Sequence, residues 1–303
     1  MAALLGVDFG GTKIEAAALA PGGGVLARER APNPRTYDDA IALTRDLVAA
    51  VASQVGAAAD APVGVGIPGS VSPATGLIRN ANSTWLNGRD FAADMGAALG
   101  RRVRMANDAN CFALSESVDG AAAGMDPAFG VILGTGCGGG VVTGGALVQG
   151  ANHIVGEWGH TPLPWPAPDE YPGPECWCGK RGCLETWLCG PAMTADHRRA
   201  TGQDATPDRI AEAAGAGDEA AAATLERYAG RLARGLAVVA NLLDPAVIVL
   251  GGGVSNIAAL YDGLSDRIAQ HAFADSYSVR VLPARHGDSS GVRGAAWLWK
   301  DAA

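Results

Sequence analysis

Three of the six cysteines in this 303-residue chain crowd into one short segment, as Cys176, Cys178 and Cys183. Three thiolates and one imidazole form the Cys₃His ligand set of a closed structural zinc site. His153 and His160 both precede the cysteines, and their spacing does not choose between them as the fourth ligand. Three buried, inert cysteines are the alternative. In a reducing compartment such a cluster favours metal ligation over disulfides, and the segment therefore predicts a zinc site.

Glycine-rich turns, each after a short apolar run, are the second candidate for chemistry. They span residues 10–13, 134–140 and 251–253. None contains the G-x-x-x-x-G-K-[ST] string of a P-loop. The main-chain N–H groups of such a turn can converge on an anion, whereas an ordinary tight hairpin explains each turn taken alone. A strand before each turn and a strand after the first two are predicted, with a helix beginning near Ser255 after the third.

The first two turns open two similar stretches of the chain, and this recurrence favours a nucleotide site. One turn in each half would hold the β- and γ-phosphates from opposite sides, while Asp8 at a strand end would orient Mg²⁺ through its waters. Thr12 and Lys13 would add a hydroxyl and a charge. The predicted phosphate-side residues are Asp8, Gly10, Gly11, Thr12, Lys13, Gly134, Thr135, Gly136, Gly138 and Gly139.

A dinucleotide site is the competing interpretation of the second turn. Gly134, Gly136 and Gly139 match G-x-G-x-x-G, and Glu157 follows 18 residues later. The Rossmann fingerprint requires a helix directly after its glycines, but residues 141–143 favour a strand. A nicotinamide-dependent oxidoreductase is therefore disfavoured.

A carboxylate between two amides is the candidate for proton transfer. Asp108 follows a short apolar strand and lies between Asn107 and Asn110. Such a carboxylate is suited to accept the proton of an attacking alcohol, although a helix N-cap is also a position that Asp favours. The loops at residues 66–70 and 80–85 carry the amides and the aromatic ring that bind sugar hydroxyls, and turn chemistry explains each of them singly.

The elements that must position these groups alternate between strand and helix. Apolar runs predict strands over residues 4–9, 63–67, 129–133 and 247–250, and helical periodicity predicts helices over about 37–55 and 218–243. This alternation indicates an α/β fold with two related halves. We expect domains at residues 1–118 and 119–289. The closing segment 290–303, with a helix over about 291–299, is expected to pack back on the first domain.

Composition restricts the class of partner. Hydrophobic residues make up 48% of the chain and charged residues 18%, which is a compact globular composition. The net charge is −8 and no basic run occurs, which excludes nucleic acid and an anionic membrane surface as expected partners. The first residues carry no positively charged n-region and nowhere do 18 apolar residues run together, so neither a signal peptide nor a membrane span is expected. We therefore expect a cytoplasmic protein that acts on small molecules.

Taken in order, these motifs resemble those of the ROK family of bacterial sugar kinases. The resemblance runs from about residue 4 to residue 299, and within the family it is most similar to fructokinases that also accept mannose. The last three segments below carry that finer resemblance. The matching segments are 7–13 (VDFGGTK), 107–110 (NDAN), 133–140 (LGTGCGGG), 157–160 (EWGH), 176–185 (CWCGKRGCLE), 67–70 (IPGS), 80–88 (NANSTWLNG) and 286–299 (HGDSSGVRGAAWLW).

The resemblance implies an actin-like, ribonuclease-H-like fold with ATP and sugar in a cleft between two lobes, and a structural zinc ion. It implies that Asp108 is the catalytic base and that His160 is the fourth zinc ligand. Gly252 and Gly253 would lie on the adenosine side of the nucleotide. The implied sugar-binding residues are Gly69, Asn82, Asn107, Glu157, His160 and Glu185.

The resemblance also implies an activity: ATP- and Mg²⁺-dependent phosphorylation of a hexose at its 6-hydroxyl, with fructose expected and mannose or glucose as further substrates. An N-acetylglucosamine or glucose kinase is the alternative within the same chemistry. A sugar-responsive regulator without catalysis is the alternative from another class. Such regulators carry an additional DNA-binding segment at the N-terminus, for which the strand starting near Leu4 leaves no expected room. A homodimer is expected from the family.

Overall fold

The computed structural model describes residues 3–302, which form two five-stranded sheets and one two-stranded ribbon. The strands are β1 (Leu4–Phe9), β2 (Lys13–Leu19), β3 (Val25–Pro32), β4 (Val63–Ile67), β5 (Ser70–Val71), β6 (Ile78–Arg79), β7 (Val103–Asn107), β8 (Ala128–Leu133), β9 (Cys137–Thr143), β10 (Ala146–Leu147), β11 (Val247–Gly251) and β12 (Arg280–Pro283).

Helices cover the sheets and connect them. The α-helices are α1 (Tyr37–Gln54), α2 (Phe91–Leu99), α3 (Asp108–Val118), α4 (Glu185–Leu188), α5 (Gly190–Thr201), α6 (Pro207–Gly215), α7 (Glu219–Leu243), α8 (Leu264–Ala269) and α9 (Ser290–Trp297). Short 3-10 helices span Thr84–Leu86, Glu157–His160, Pro168–Glu170, Gly253–Asn256, Ala258–Tyr261, Gly287–Ser289 and Lys300–Ala302. Within residues 3–302, no helix combines the length and the apolar character needed to cross a lipid bilayer.

The two large sheets share one topology. In the first sheet, with order β3-β2-β1-β4-β7, an antiparallel hairpin of β1 and β2 is followed by the parallel strands β4 and β7. In the second, with order β10-β9-β8-β11-β12, the hairpin of β8 and β9 is followed by the parallel strands β11 and β12. The predicted duplication of an α/β unit is therefore confirmed.

Helices α3 and α9 lie between the sheets and pack against each other. α3 also contacts β8 and β9, while α9 contacts β1 and β4. Glycines permit this close packing: a Cβ atom on Gly64 would lie 1.8 Å from the carbonyl oxygen of Ala295, and one on Gly294 would lie 1.7 Å from that of Cys111. The expected domain division between residues 118 and 119 falls at the end of α3. Because α3 contacts both halves, this division remains a proposal.

Two details of the glycine turns differ from the prediction. The second turn ends at Gly136, because β9 begins at Cys137. Gly139 and Gly140 are strand residues whose missing side chains make room for packing: a Cβ atom would lie 2.8 Å from the ring of Phe129 or from the Cβ of Ala113, respectively. The α-helix expected near Ser255 is a 3-10 turn, Gly253–Asn256. Strand β9 continues to Thr143, so the glycines are followed by a strand and not by the helix that a Rossmann fingerprint requires.

Candidate functional site

A cavity of about 510 Å³ lies between the two sheets. Its walls combine the ends of strands and helices from both halves of the chain. The residues of the first half that line it include Gly69, Asn82, Asn107 and Asp108, and those of the second half include Glu157, His160 and Glu185. All seven residues expected to bind sugar or to remove its proton therefore meet in one cavity.

Asp108 is placed in the cavity by the start of α3. Asn107 is the N-cap of that helix: its Oδ1 accepts a hydrogen bond from the Ala109 N–H at 2.9 Å, and its Nδ2 donates to the carbonyl of Gly69 at 3.1 Å. The alternative that Asp108 is itself the N-cap is therefore wrong. The Oδ1 of Asp108 accepts a hydrogen bond from the Ala109 N–H at 2.8 Å, and the side chain lines the cavity.

The cavity also changes the acidity of Asp108. Although water reaches the side chain from the cavity, protein surrounds it closely, and this loss of hydration raises its pKa above the ordinary 3.8. The Ala109 N–H opposes the shift, while the negative charge of Glu157 adds to it. A carboxylate with a raised pKa holds a proton more readily than a free aspartate.

Glu157 and His160 lie on the 3-10 helix Glu157–His160, which is anchored to β9. Trp158 between them is buried, and its indole N–H donates to the carbonyl of Gly138 at 3.0 Å. Gly159 lies so close to β9 that a Cβ atom would be 2.0 Å from the carbonyl oxygen of Cys137. These contacts fix the direction in which the two flanking polar side chains enter the cavity.

Glu185 is held from two sides at the start of α4. Its Oε2 accepts a hydrogen bond from the Cys137 N–H at 3.0 Å, and its Oε1 accepts one from the indole N–H of Trp177 at 2.7 Å. Trp177 in turn packs edge-on against the ring of His160, with 4.9 Å between ring centroids. Each carboxylate oxygen therefore accepts one hydrogen bond, and the two bonds hold the side chain on the cavity wall.

The four predicted metal ligands lie together beside the cavity. The ligand atoms of His160, Cys176, Cys178 and Cys183 are all within 4.8 Å of one another. The Sγ of Cys176 is 3.5 Å from Nδ1 of His160, and the Sγ atoms of Cys178 and Cys183 are 3.6 Å apart.

These separations agree with a tetrahedral zinc ion, because two zinc–sulfur bonds of about 2.3 Å at the tetrahedral angle hold their sulfurs about 3.8 Å apart. The residues present therefore fit zinc. His153 does not belong to the cluster, because its Nδ1 faces the carbonyl of Val71 at 3.2 Å.

The proline-rich loop before the cysteines is tied to helix α7 by buried ion pairs. Glu170 in this loop contacts Arg231 and Arg234 at 2.8 Å each, and Arg231 also contacts Asp196 of α5 at 2.9 Å. Burial would raise the pKa of Glu170, but hydrogen bonds from Arg234, the Ala167 N–H and Arg231 lower it to about 2. The carboxylate is therefore ionised, and the loop has a fixed position against the second half.

A second cavity, of about 650 Å³, adjoins the first at Thr135. Its walls are the turn after β8, the 3-10 turn after β11, helix α5 and the start of α6. The lining residues are Gly134, Thr135, Gly190, Pro191, Thr194, Ala195, Arg198, Asp204, Pro207, Asp208, Gly253 and Val254. Gly134, Thr135 and Gly253 were expected at a nucleotide, and Gly252 precedes the last of them. Gly136, Gly138 and Gly139 line the first cavity instead.

The first-half turn at residues 10–13 lines neither of these two cavities. Gly10 accepts a hydrogen bond from Asn33 Nδ2 at 2.7 Å, and a Cβ on Gly11 would lie 3.2 Å from the Oγ of Ser83. The carboxylate of Asp8 lies against the start of α9, where a Cβ on Gly291 would be 2.9 Å from its Oδ2. The contribution of this turn to phosphate binding stays a prediction.

Sequence reasoning missed the contribution of α5 to the second cavity. Thr194 and Arg198 share one face of this helix, at a spacing of four residues, but they are about 60 residues from the glycine turn that they face. The only local signal is a pair of polar residues at helical spacing, which is typical of any exposed helix face.

Comparison with known proteins extends these observations over the whole chain. N-acetyl-D-glucosamine kinase from Escherichia coli (strain K12) is 38% identical over 298 residues, which cover 97% of this chain and 98% of that protein. The crystal structure of ROK hexokinase from Thermus thermophilus superposes with a TM-score of 0.87 at 30% identity, covering 99% of this chain and 100% of that one.

A third similar protein is a ROK family glucokinase from Streptomyces griseus, whose structure was determined in complex with glucose and AMPPNP. It superposes with a TM-score of 0.79 at 28% identity, covering 98% of each chain. The expected actin-like, ribonuclease-H-like α/β fold is confirmed by these superpositions. A sequence profile of the ROK family matches residues 4–302, and the chain therefore belongs to the ROK family.

Proposed function

We propose that this protein transfers the γ-phosphoryl group of ATP to the 6-hydroxyl of a hexose, with N-acetylglucosamine as its main substrate and glucose as a second one. The observation that carries the proposal is the meeting of Asp108 with the six expected sugar-binding residues in one cavity, which adjoins a second cavity at Thr135. A sugar in the first cavity and a nucleotide in the second would meet at the turn that separates them.

Asp108 is the proposed general base. As the sugar oxygen attacks the γ-phosphorus, the carboxylate takes the hydroxyl proton, the bond from the γ-phosphorus to the bridging oxygen breaks, and ADP leaves. A pKa raised toward the working pH strengthens this proton acceptor. Phosphoryl transfer depends mainly on positioning and charge stabilisation, so a well-held alcohol with a base beside it is sufficient on the sugar side.

The remaining residues have positioning roles. Asn82, Asn107, Glu157, His160, Glu185 and the main chain at Gly69 would hold the sugar hydroxyls. Gly134, Thr135 and Gly136 would donate main-chain N–H groups to the phosphates, with Gly252 and Gly253 beside the adenosine. Mg²⁺, oriented by Asp8 through its waters, would supply positive charge to the phosphates when bound. Gly10, Gly11, Thr12 and Lys13 would reach the nucleotide from the first half.

Zinc bound by His160, Cys176, Cys178 and Cys183 would have a structural role. His160 belongs to the ligand cluster and also lines the sugar cavity. Metal ligation of one ring nitrogen fixes the orientation of the ring and leaves the other nitrogen able to donate a hydrogen bond. We propose that zinc holds His160 in the position from which it contacts the sugar.

The choice of sugar follows the relatives. Fructose was expected from three short segments, residues 67–70, 80–88 and 286–299. The similar proteins above are named N-acetyl-D-glucosamine kinase, hexokinase and glucokinase. These names favour the alternative substrates, N-acetylglucosamine and glucose, over fructose. The expected homodimer and cytoplasmic location stay predictions.

The proposal is tested by measuring ADP release with ATP, Mg²⁺ and each of N-acetylglucosamine, glucose, mannose and fructose. We expect N-acetylglucosamine to give the highest kcat/KM. Asp108→Asn should lower kcat by about 10²–10⁴-fold while calorimetry still detects sugar binding. Asp38→Asn, a change at an exposed acidic residue in the first turn of α1, should leave kcat unchanged. Sugar binding without ADP release by the unmodified protein would contradict the kinase and support a non-catalytic regulator.

A further inference from the structure

A third cavity, of about 240 Å³, lies behind the sugar cavity and shares part of its wall. The shared residues are Ser70, Asn107, Asn110 and His153. About 10–15 Å³ suffices for one water molecule, so this chamber has room for a substituent of several non-hydrogen atoms. No step of the proposed phosphoryl transfer uses it.

The chamber is apolar away from the shared wall. Seven of its eight remaining lining residues are hydrophobic, and the eighth is Gln149. The hydrophobic ones are Ile67, Val71, Ala92, Val103, Met105, Ala106 and Leu147. Sugar hydroxyls gain nothing from such a surface, because a polar group buried there without a partner is unfavourable. The chamber therefore suits an apolar extension of the sugar.

The wall shared by the two cavities includes an amide whose oxygen is unpaired. The Oδ1 atom of Asn110 is buried and has no hydrogen-bond partner among the described residues. A buried acceptor left unpaired destabilises by about 1–3 kcal/mol. Because solvent does not reach this oxygen, a donor on a bound ligand would pair with it only after rotation of the Asn110 side chain. Asn110 follows Asp108 on α3 and lines both cavities.

A 2-acylamino group combines a hydrogen-bond donor, a hydrogen-bond acceptor and an apolar chain, and these three properties match the walls of the chamber. Its N–H can donate to the polar wall that the two cavities share, its carbonyl can accept from the same wall, and its alkyl chain is apolar. We infer that the third cavity binds the acyl chain of a 2-acylamino hexose, and that it admits chains longer than acetyl. The inference rests on the proposed function, since it places that sugar in the adjoining cavity.

Both halves of the chain build the chamber, so its size depends on how they meet. Met105 and Ala92 come from the first half, and Leu147 comes from the second. Across the same boundary, His153 contacts the carbonyl of Val71. Some residues line this chamber and not the sugar cavity. A substitution at such a residue should change the volume of the chamber and leave the sugar cavity intact.

Ala92 is the position for the decisive substitution. It lies on α2, is half-buried and lines only the third cavity. Ala92→Leu would fill the chamber, and Ala93→Leu makes the same change at the next, exposed position of the same helix. Leu147→Ala makes the opposite change, since it enlarges the chamber, and it keeps the inference testable if the larger side chain is not tolerated.

Binding is measured by calorimetry and turnover by ADP release, with N-acetyl-, N-propionyl- and N-butanoylglucosamine and with glucose. The unmodified protein should bind and phosphorylate all three acylated sugars. Ala92→Leu should weaken binding of the butanoyl sugar and lower its kcat/KM by about tenfold or more. The binding and kcat/KM of glucose should change by less than about twofold. Ala93→Leu should leave the values for both sugars unchanged. Leu147→Ala should raise the butanoyl-to-acetyl ratio.

Two results would overturn the inference: rejection of the longer acyl sugars by the unmodified protein, or an Ala92→Leu effect that is equal for glucose and the acylated sugars. Failure of the proposed function gives a different result, in which calorimetry detects the sugars but no ADP is formed. The chamber is still tested in that case, because the binding ratios between sugars and variants do not depend on turnover.

Discussion

The main chain at Gly136 approaches the carboxylate of Glu185 so closely that a Cβ atom on Gly136 would lie 2.8 Å from Oε2. This oxygen also accepts the hydrogen bond from Cys137. The turn between the two cavities therefore fixes a side chain of the proposed sugar site. A change to the turn should be detected on the sugar side as well as at the nucleotide.

Gly136→Ala should displace Glu185 with little effect on the fold, because a carboxylate can move where a main chain cannot. We expect the KM for sugar to rise by about tenfold, as for the loss of one hydrogen bond to a charged group, and the melting temperature to change little. Gly22→Ala is the matched control, since no atom of the described residues lies within 4 Å of a Cβ at that position. Equal KM values for both variants would contradict the proposed role of Glu185.

Features of this site could be predicted from the sequence where the residues that determine them are close together along the chain. The strand Val63–Ile67 and the helix Tyr37–Gln54 were predicted to within one residue, because hydrophobic periodicity is local. Asp108 and the cysteine cluster were also identified from residue type and spacing. The contact of Glu185 with Cys137 could not be found in this way, because it joins residues 48 apart in the chain.

Glycine was the residue type that misled the prediction. Gly138, Gly139 and Gly140 look like a continuation of the phosphate turn, but they are strand residues packed against α3 and the 3-10 helix Glu157–His160. A glycine required by the backbone conformation of a turn and a glycine required by close packing of a neighbouring element cannot be distinguished in the sequence. Only the position of the neighbouring helix distinguishes them, and that position is a property of the folded chain.

Asp108 should influence stability as well as activity. Its pKa is raised in the folded protein, so its contribution to stability is fully present below the ordinary value of 3.8 and is lost as the pH rises through the folded value. Asp108→Asn should therefore melt at a higher temperature than the unmodified protein at neutral pH. Near pH 4 or below, this difference should shrink.

Thermal denaturation of both proteins between about pH 4 and pH 8 measures this effect. The same raised pKa places the acid limb of the kcat/KM profile above that of a free aspartate, because the base must be ionised to accept a proton. A variant that is less stable than the unmodified protein at neutral pH would show that Asp108 is favourably ionised, and would contradict the assigned cause of the shift.

Removal of one proposed zinc ligand should affect stability and sugar binding together. Cys178→Ala leaves three ligands, and we expect zinc, present at one per chain in the unmodified protein, to be lost. The melting temperature should fall by several degrees, because a structural zinc site contributes folding energy directly. The KM for sugar should rise about 10–100-fold, because His160 loses the metal that orients it.

Elemental analysis and thermal denaturation of purified protein test this prediction, with Cys111→Ala as the control. Cys111 is buried in α3 outside the ligand cluster, so its variant should keep zinc and an unchanged KM while losing some stability from the small cavity. Absence of zinc from the unmodified protein, or its retention in Cys178→Ala, would contradict the site.

Two glycines of helix α7 should respond differently to the same substitution. A Cβ atom on Gly230 would have no neighbour within 4 Å in the part of the chain that the structure describes. One on Gly235 would lie 3.1 Å from a methyl of Leu184 and 3.1 Å from the ring of Trp158. Replacement of glycine by alanine inside a helix gains about 1 kcal/mol from intrinsic propensity. Gly230→Ala should therefore raise the melting temperature, by about 2 °C for a chain of this size.

Gly235→Ala has the same gain in propensity, so the difference between the two variants isolates the crowding. Leu184 lies next to Glu185, and Trp158 lies between Glu157 and His160, so both neighbours support the proposed sugar site. We expect Gly235→Ala to melt below Gly230→Ala and to raise the KM for sugar, which Gly230→Ala should leave unchanged. Equal melting temperatures and KM values would mean that α7 moves away from Trp158 without cost, and that its close packing does not position the site.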